Sequence, residues 1–432
     1  MNLKRSYSLF SVLLMLIIGS THLNAQEGQE DPADTLARSV RNLKDEMEVL
    51  KRLEITGYVQ PQYQVIDSAG APSFAGGDFI NGTSPYYSRF MMRRGRFKFT
   101  YSFENVKLMV NIDATEKGLA MRETYAQISS RNGIFRFITG LLQDQFGFEL
   151  TQSSSSRETP ERARFNQTLF PTERDMGAFG SIIMPKSSKL YGLKLDLAVM
   201  NGSAGVAPEF DSHKDFTGRL QYTKTTTNEK VSFAVGTSCY YGGYRIGKVK
   251  DYVSTTLANG DKGFDFAADT ANYNRVARRL YIGADAQFTF DWKPGITILR
   301  GEYVQGEHPG TSSSMRAIAA LPTSAIYHRE FNAAYFYFIQ NIGQSKFQVV
   351  AKYDWWDPNV KLSGTQIGKS GTNTKVADIR FDTYVFGVTY RFNTYLKLMV
   401  FYDLVKNEKT LVTGYKNDIK DNVLTIRMQI RY

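Results

Sequence analysis

Three cations, Arg94, Arg96 and Lys98, occupy alternate residues of a single stretch. In an extended chain alternate residues share one face. This face therefore gathers three positive charges that no other residue of the same stretch can neutralise. The same parity recurs at Lys107, Lys194, Arg219, Arg279, Lys352, Arg391, Lys397, Arg427 and Arg431, interleaved with Asp113, Asp196, Asp215, Asp285, Asp354 and Asp403. Cations thus lead acids by two to one on these faces. The chemistry open to such a set is anion recognition, because the planar guanidinium fork fits phosphate and carboxylate. A low-dielectric wall carrying these charges would concentrate anions beside it. The competing reading is mutual pairing, in which the charges only hydrate the wall.

Catalytic chemistry has less to work with. Beyond the N-terminal stretch the histidines are His213, His308 and His328, all in or beside expected loops, and Ser212-His213 is only a sequential pair. A hydrolytic triad needs such groups oriented in space, so the chain is not read as an enzyme. The one cysteine, Cys239, excludes an internal disulfide and a cysteine metal cluster. No phosphate-cradling glycine loop, zinc motif or calcium loop is found, and no cofactor is expected. The net charge of +11 is spread over many strand faces. Nucleic-acid binding would gather it on one element, so nucleic acid is not an expected partner.

The elements that would position these faces begin after an export leader. Lys4 and Arg5 precede an apolar stretch from Leu9 to Gly19, and Leu23-Asn24-Ala25 precedes Gln26. This predicts a signal peptide over 1–25 and export to a Gram-negative outer membrane. Residues 26–53 hold a polar linker and a short helix. Leu36, Val40, Leu43, Met47 and Leu50 fall at spacings of 4, 3, 4 and 3, the a/d seam of a coiled coil. About two and a half heptads are too few to stand alone. Three copies bundled at the axis of a homotrimer would solve this, and a helix packed on a barrel rim is the alternative.

From Glu54 to Tyr432 the hydrophobic period is two. Val106, Leu108, Val110 and Ile112 alternate with Lys107, Met109, Asn111 and Asp113; Leu396, Leu398, Val400, Tyr402 and Leu404 alternate with Lys397 and Asp403. Mean hydropathy is −0.33, and no later apolar run approaches the roughly 20 residues that a membrane helix requires. Alternating strands escape that test. Sixteen strands are read at 54–66, 89–101, 105–115, 120–130, 135–143, 178–186, 190–200, 215–224, 230–241, 278–290, 295–305, 331–341, 346–356, 379–392, 394–405 and 422–432. Every second connection is short, while the others are mostly long and rich in Gly, Ser, Asn and Thr. The last strand sets Leu424, Ile426, Met428, Ile430 and Tyr432 against Thr425, Arg427, Gln429 and Arg431. Together these features predict an all-β fold: a 16-stranded antiparallel transmembrane β-barrel, apolar toward outer-membrane lipid and polar toward a lumen.

Connection 144–177 carries Arg157, Arg162, Arg164 and Arg174 beside Glu158, Glu161, Glu173 and Asp175. It is too long for a plain exposed loop. The expectation is that it folds inward as a constriction; the alternative is an external loop in subunit contacts.

Three segments of the barrel resemble the phosphate-selective porins of the O and P type. They are Met92-Arg93-Arg94-Gly95-Arg96-Phe97-Lys98; Thr139–Gln143 running to Gln145-Phe146-Gly147-Phe148-Glu149; and Ser153-Ser154, Glu161-Arg162 and Pro171 with Arg174-Asp175-Met176-Gly177. The chain departs from the family at Gln145, where proline is usual. The resemblance implies a trimeric sixteen-stranded barrel with an inward third loop, and the expected passengers are small anions, phosphate possibly among them. Two alternatives are a non-selective small-solute porin and a surface receptor that stacks glycans on the loop aromatics Tyr252, Phe264, Phe266 and Tyr273.

Overall fold

The computed structural model describes residues 32–205, 207–267 and 275–432, with only the backbone described at 32–35 and 49. The expected signal peptide and most of the linker lie outside the described residues, as does Tyr273. Helix α1 (Pro32–Lys51) forms one unit. Its seam residues Leu36, Val40, Leu43, Met47 and Leu50 are all exposed.

Leu53–Tyr432 forms the second unit. Its main strands are β1 (Leu53–Ile66), β2 (Ser88–Phe103), β3 (Val106–Thr115), β4 (Gly118–Ser129), β5 (Phe135–Gln143), β6 (Arg174–Ile183), β7 (Leu193–Met200), β8 (Asp215–Thr225), β9 (Val231–Arg245), β10 (Val276–Trp292), β11 (Gly295–Gly310), β12 (Ile326–Asn341), β13 (Phe347–Asp357), β14 (Phe381–Arg391), β15 (Leu396–Asn407) and β16 (Val423–Arg431). Each pairs antiparallel with its chain neighbours, and β16 returns to pair with β1. The result is a closed barrel of sixteen strands, an arrangement that leaves no open edge and satisfies the backbone within a membrane.

The side-chain pattern follows the pleat. On β16, Thr425, Arg427 and Gln429 are buried inside the ring while Ile426, Met428 and Ile430 are exposed outside. The outer surface is apolar elsewhere too, with exposed Leu197 and Val199 on β7, Phe336 and Phe338 on β12, and Val388 on β14. Short turns of two to nine residues join strands at one end, and connections of up to thirty residues join them at the other, the tight 116–117 turn excepted.

The structure departs from the sequence reading in places. Strand β6 begins at Arg174, so connection 144–177 ends at residue 173 and Arg174 is a strand residue. Its opening residues Arg174 and Asp175 are charged and buried, and therefore look like loop in sequence. Connection 246–275 holds a hairpin, Asp251–Thr256 with Lys262–Phe266, whose first strand also runs parallel to Ile326–His328. There Tyr252 stacks on Tyr327 at 4.7 Å and Phe264 meets it edge-on at 5.1 Å. These contacts pack Tyr252 and Phe264 against the barrel, while Phe266 stays exposed.

Candidate pore and its inserted loop

Loop 144–173 bonds to inward side chains of nine strands besides the two it joins. Glu161 receives a two-pronged contact from Arg93, at 2.8 Å for each bond, and another at 2.6 Å from Arg427 Nη2, with Arg94 Nη2 3.6 Å away. Arg300 forks onto Glu158 with two bonds of 3.0 Å. Tyr337 donates to Glu149 Oε1 at 2.6 Å, and Lys352 Nζ is 3.8 Å from the same oxygen. Lys397 Nζ donates to the carbonyls of Ser155 and Arg157, each at 3.2 Å. On β1, Tyr58 meets Ser154 Oγ and Gln60 donates to its carbonyl.

The root of the loop is fixed by shape as well as charge. Gly147 has φ +61, its N–H donates to Ser238 Oγ, and a Cβ there would lie 1.9 Å from Glu302 Oε1. Only glycine suits that backbone and that approach. Glu302 Oε2 accepts the N–H groups of Phe148 and Glu149 and the hydroxyl of Tyr335. Phe146, Phe165, Leu169 and Phe170 then pack against inward aromatics, including Tyr240, Tyr281, Phe331 and Tyr335. A short helix, α2 (Arg164–Leu169), carries part of this apolar face. On the side of β9–β13, loop side chains therefore pack against inward side chains of the strands.

Two cation-rich cavities lie along the other wall, and a smaller one of about 40 Å³ lies beside β13–β16, lined by Glu161, Asp354, Asp403 and Asp421 with Arg162, Arg164 and Lys352. The outer one, about 490 Å³, is lined by seven cations (Arg93, Arg94, Lys117, Arg122, Arg157, Arg162 and Arg316) and three acids (Asp78, Glu161 and Glu173). The inner one, about 600 Å³, is lined by Arg96, Lys98, Arg162, Arg174 and Arg431, with Glu123 as its only acid. Arg162 borders both. Arg157 is 1% exposed, and none of its three guanidinium nitrogens has a hydrogen-bond partner. Arg96 makes a long ion-pair contact to Asp113, at 3.6 Å, and lies 6.0 Å over the Tyr58 ring, while Arg174 pairs with Glu123 at 2.7 Å.

The cations read from parity therefore divide. Arg94, Arg96, Lys98, Arg157, Arg162 and Arg174 border the two cavities. Arg219 is paired with Asp285, Arg279 with Asp215 at 3.2 Å, Lys352 with Asp354 at 3.0 Å, and Lys194 with Asp196 at 2.7 Å. These four border neither cavity, because acids on the same strand or two strands away claim them. Lys107 and Arg391 sit beside turns at the barrel end, and Lys397 is spent on loop carbonyls. Arg164 leaves the group altogether, its guanidinium carbon lying 4.2 Å over Phe74 and 3.9 Å over Phe381.

Sequence parity missed Arg93, Arg122, Glu123 and Arg300. The first three sit at β-bulges. Register shifts opposite Gln60/Pro61 and near Asn111 add one residue to β2 and one to β4, turning adjacent residues inward. Pro61 within a strand was the available signal. Arg300 follows the parity of β11, a strand whose inward face holds Glu302 beside it.

Among solved structures, the barrel is similar to OprB of Pseudomonas putida (TM-score 0.55, 8% identity, covering 90% of this chain and 96% of that one). It is also similar to OmpF of Salmonella typhi (TM-score 0.52, 10% identity, 88% and 97%). The anion-selective porin from Comamonas acidovorans gives a TM-score of 0.50 at 10% identity, over 88% and 99%. At such identities the likeness is one of fold. No family model and no curated protein sequence matches the chain. Fold and lumen together define the class: an outer-membrane β-barrel of porin architecture.

Glu161→Ala would strip Arg93, Arg94 and Arg427 of a shared counter-ion. Removing one partner of a buried ion network costs about 3 kcal/mol. The expected result is a lower urea midpoint for the barrel and a noisier open-channel current; an unchanged midpoint and a quiet trace would show that the loop is held by its apolar contacts alone.

Proposed function

We propose that this protein is a diffusion pore of the Gram-negative outer membrane that favours small anions, phosphate among them. The observation carrying this reading is the cation excess of two cavities: seven cations against three acids in one and five against one in the next, with Arg162 counted in both. Loop 144–173 narrows the passage and places Arg157, without a protein partner, at its edge. A site meant for transport has to bind several times weakly so that ions leave. Cations shared between successive cavities, as Arg162 is, suit that. The motifs that resemble the O and P porins fall on Gly147, Glu149, Glu161, Arg162 and Arg174, and all of these fix the loop or border a cavity. No catalytic step is assigned: His308 meets Tyr281 at 2.5 Å and His328 meets Asp251 at 2.7 Å, both outside the two cavities.

In this reading the functional unit is a homotrimer, with α1 as its bundle. The five exposed seam residues give a continuous apolar stripe. In a parallel arrangement Glu46 at a g position faces Lys51 at the next e position of a neighbouring helix, an attractive pairing.

Two measurements follow. In a planar bilayer under a salt gradient, the reversal potential is expected to carry the anion-preferring sign, and phosphate to compete with chloride for the current. Arg94→Glu with Arg96→Glu is expected to weaken or reverse that sign, and a cation preference in the unaltered protein would reject the proposal. For the assembly, Leu43→Asp in the α1 seam is expected to lower the temperature at which a trimer band dissociates in detergent gels. An equal dissociation temperature would remove the helix from the interface.

A further inference from the structure

A further cavity of about 180 Å³ opens among the loops, sharing Phe74 and Arg316 with the outer cavity, with Arg164, Trp356, Phe381, Tyr415 and Asp421 also in its walls. The rings of Phe74 and Phe381 lie 4.2 and 3.9 Å from the Arg164 guanidinium carbon, which leaves the guanidinium N–H groups to bond elsewhere. Its Nε is buried and has no hydrogen-bond partner. Asp421 is 3% exposed, and its Oδ1 is likewise buried without a partner. The two side chains do not form an ion pair with each other, although they share one cavity. Each unmade bond to a buried polar group costs about 1–3 kcal/mol. A ligand that brings an anionic acceptor and a cationic donor would satisfy both.

The remaining wall fits the rest of such a molecule. Trp356, Phe381 and Tyr415 are aromatic, and Tyr415 stands edge-on to Phe381 at 6.4 Å. Such surfaces accept an apolar body. Burial holds the Asp421 carboxyl up at about 6 against the pull of the Arg164 charge, so at neutral pH it is ionised and can meet an ammonium group.

We propose that this cavity binds a small zwitterion with an apolar side chain, of the α-amino acid class, its carboxylate toward Arg164 and its ammonium toward Asp421. The site is independent of the anion-pore reading, since it is tested by binding and not by current. Full-length refolded barrel is titrated calorimetrically with L-phenylalanine, 3-phenylpropionate, phenethylamine and methyl glucoside. The expected result is saturable binding of L-phenylalanine, with at least about tenfold weaker binding of the two analogues that lack one charge. Asp421→Asn, which keeps the side-chain shape, should weaken L-phenylalanine by a similar factor. Equal affinity for 3-phenylpropionate, saturable binding of the glucoside in its place, or no saturable heat for L-phenylalanine would overturn the proposal. The analogue series in the unaltered protein decides the matter even if the variant misfolds.

Discussion

The Glu161 carboxylate stands over the seam where the barrel closes. Arg93 and Arg94 reach it from β2 and Arg427 from β16, the two strands that flank β1. Such a network is costly to desolvate and is retained only where the geometry satisfies it. Here the charges are supplied by two elements far apart in sequence, so the network forms only when the ring is shut and loop 144–173 is inside it. Closure of the sheet and placement of the loop are thus a single event in energetic terms. The other anchors, Arg300 with Glu158 and Lys397 with two loop carbonyls, carry the same hold toward β11 and β15.

That placement makes the lumen lopsided. On the β9–β13 side, loop aromatics meet strand aromatics and exclude water. Charges along β8, β10 and β13 are absorbed pairwise, as in Arg219 with Asp285. The two cation-rich cavities lie along β1–β6, where two bulges crowd extra cations inward, whereas the cavity beside β13–β16 is lined by Asp354, Asp403 and Lys352. In the proposed reading, the sign of ion preference depends less on the overall excess of lysine and arginine than on which acids are already occupied.

Much of this was legible in the sequence. A two-residue period reports which face a side chain takes, and all sixteen strands followed from it because lipid outside and water inside enforce it at every step. Inward placement of Arg94, Arg96 and Lys98 followed by the same logic. The rest depended on information that local pattern does not hold. A bulge shifts parity without changing composition, so Arg93 and Arg122 were hidden. Arg174 and Asp175 open a strand with charge and read as loop. Arg164 and Arg157 are seven residues apart in one loop, yet one is captured by Phe74 and Phe381 while the other faces the cavity; only the tertiary path of the loop separates them.

The most direct test of the account is the single-channel conductance of a barrel in which residues 152–158 are replaced by a short glycine linker. With that segment gone from the lumen, the passage should widen, giving a several-fold larger conductance and a weaker preference between ions. A conductance equal to that of the unaltered protein would mean that the segment does not narrow the path, and would contradict the account.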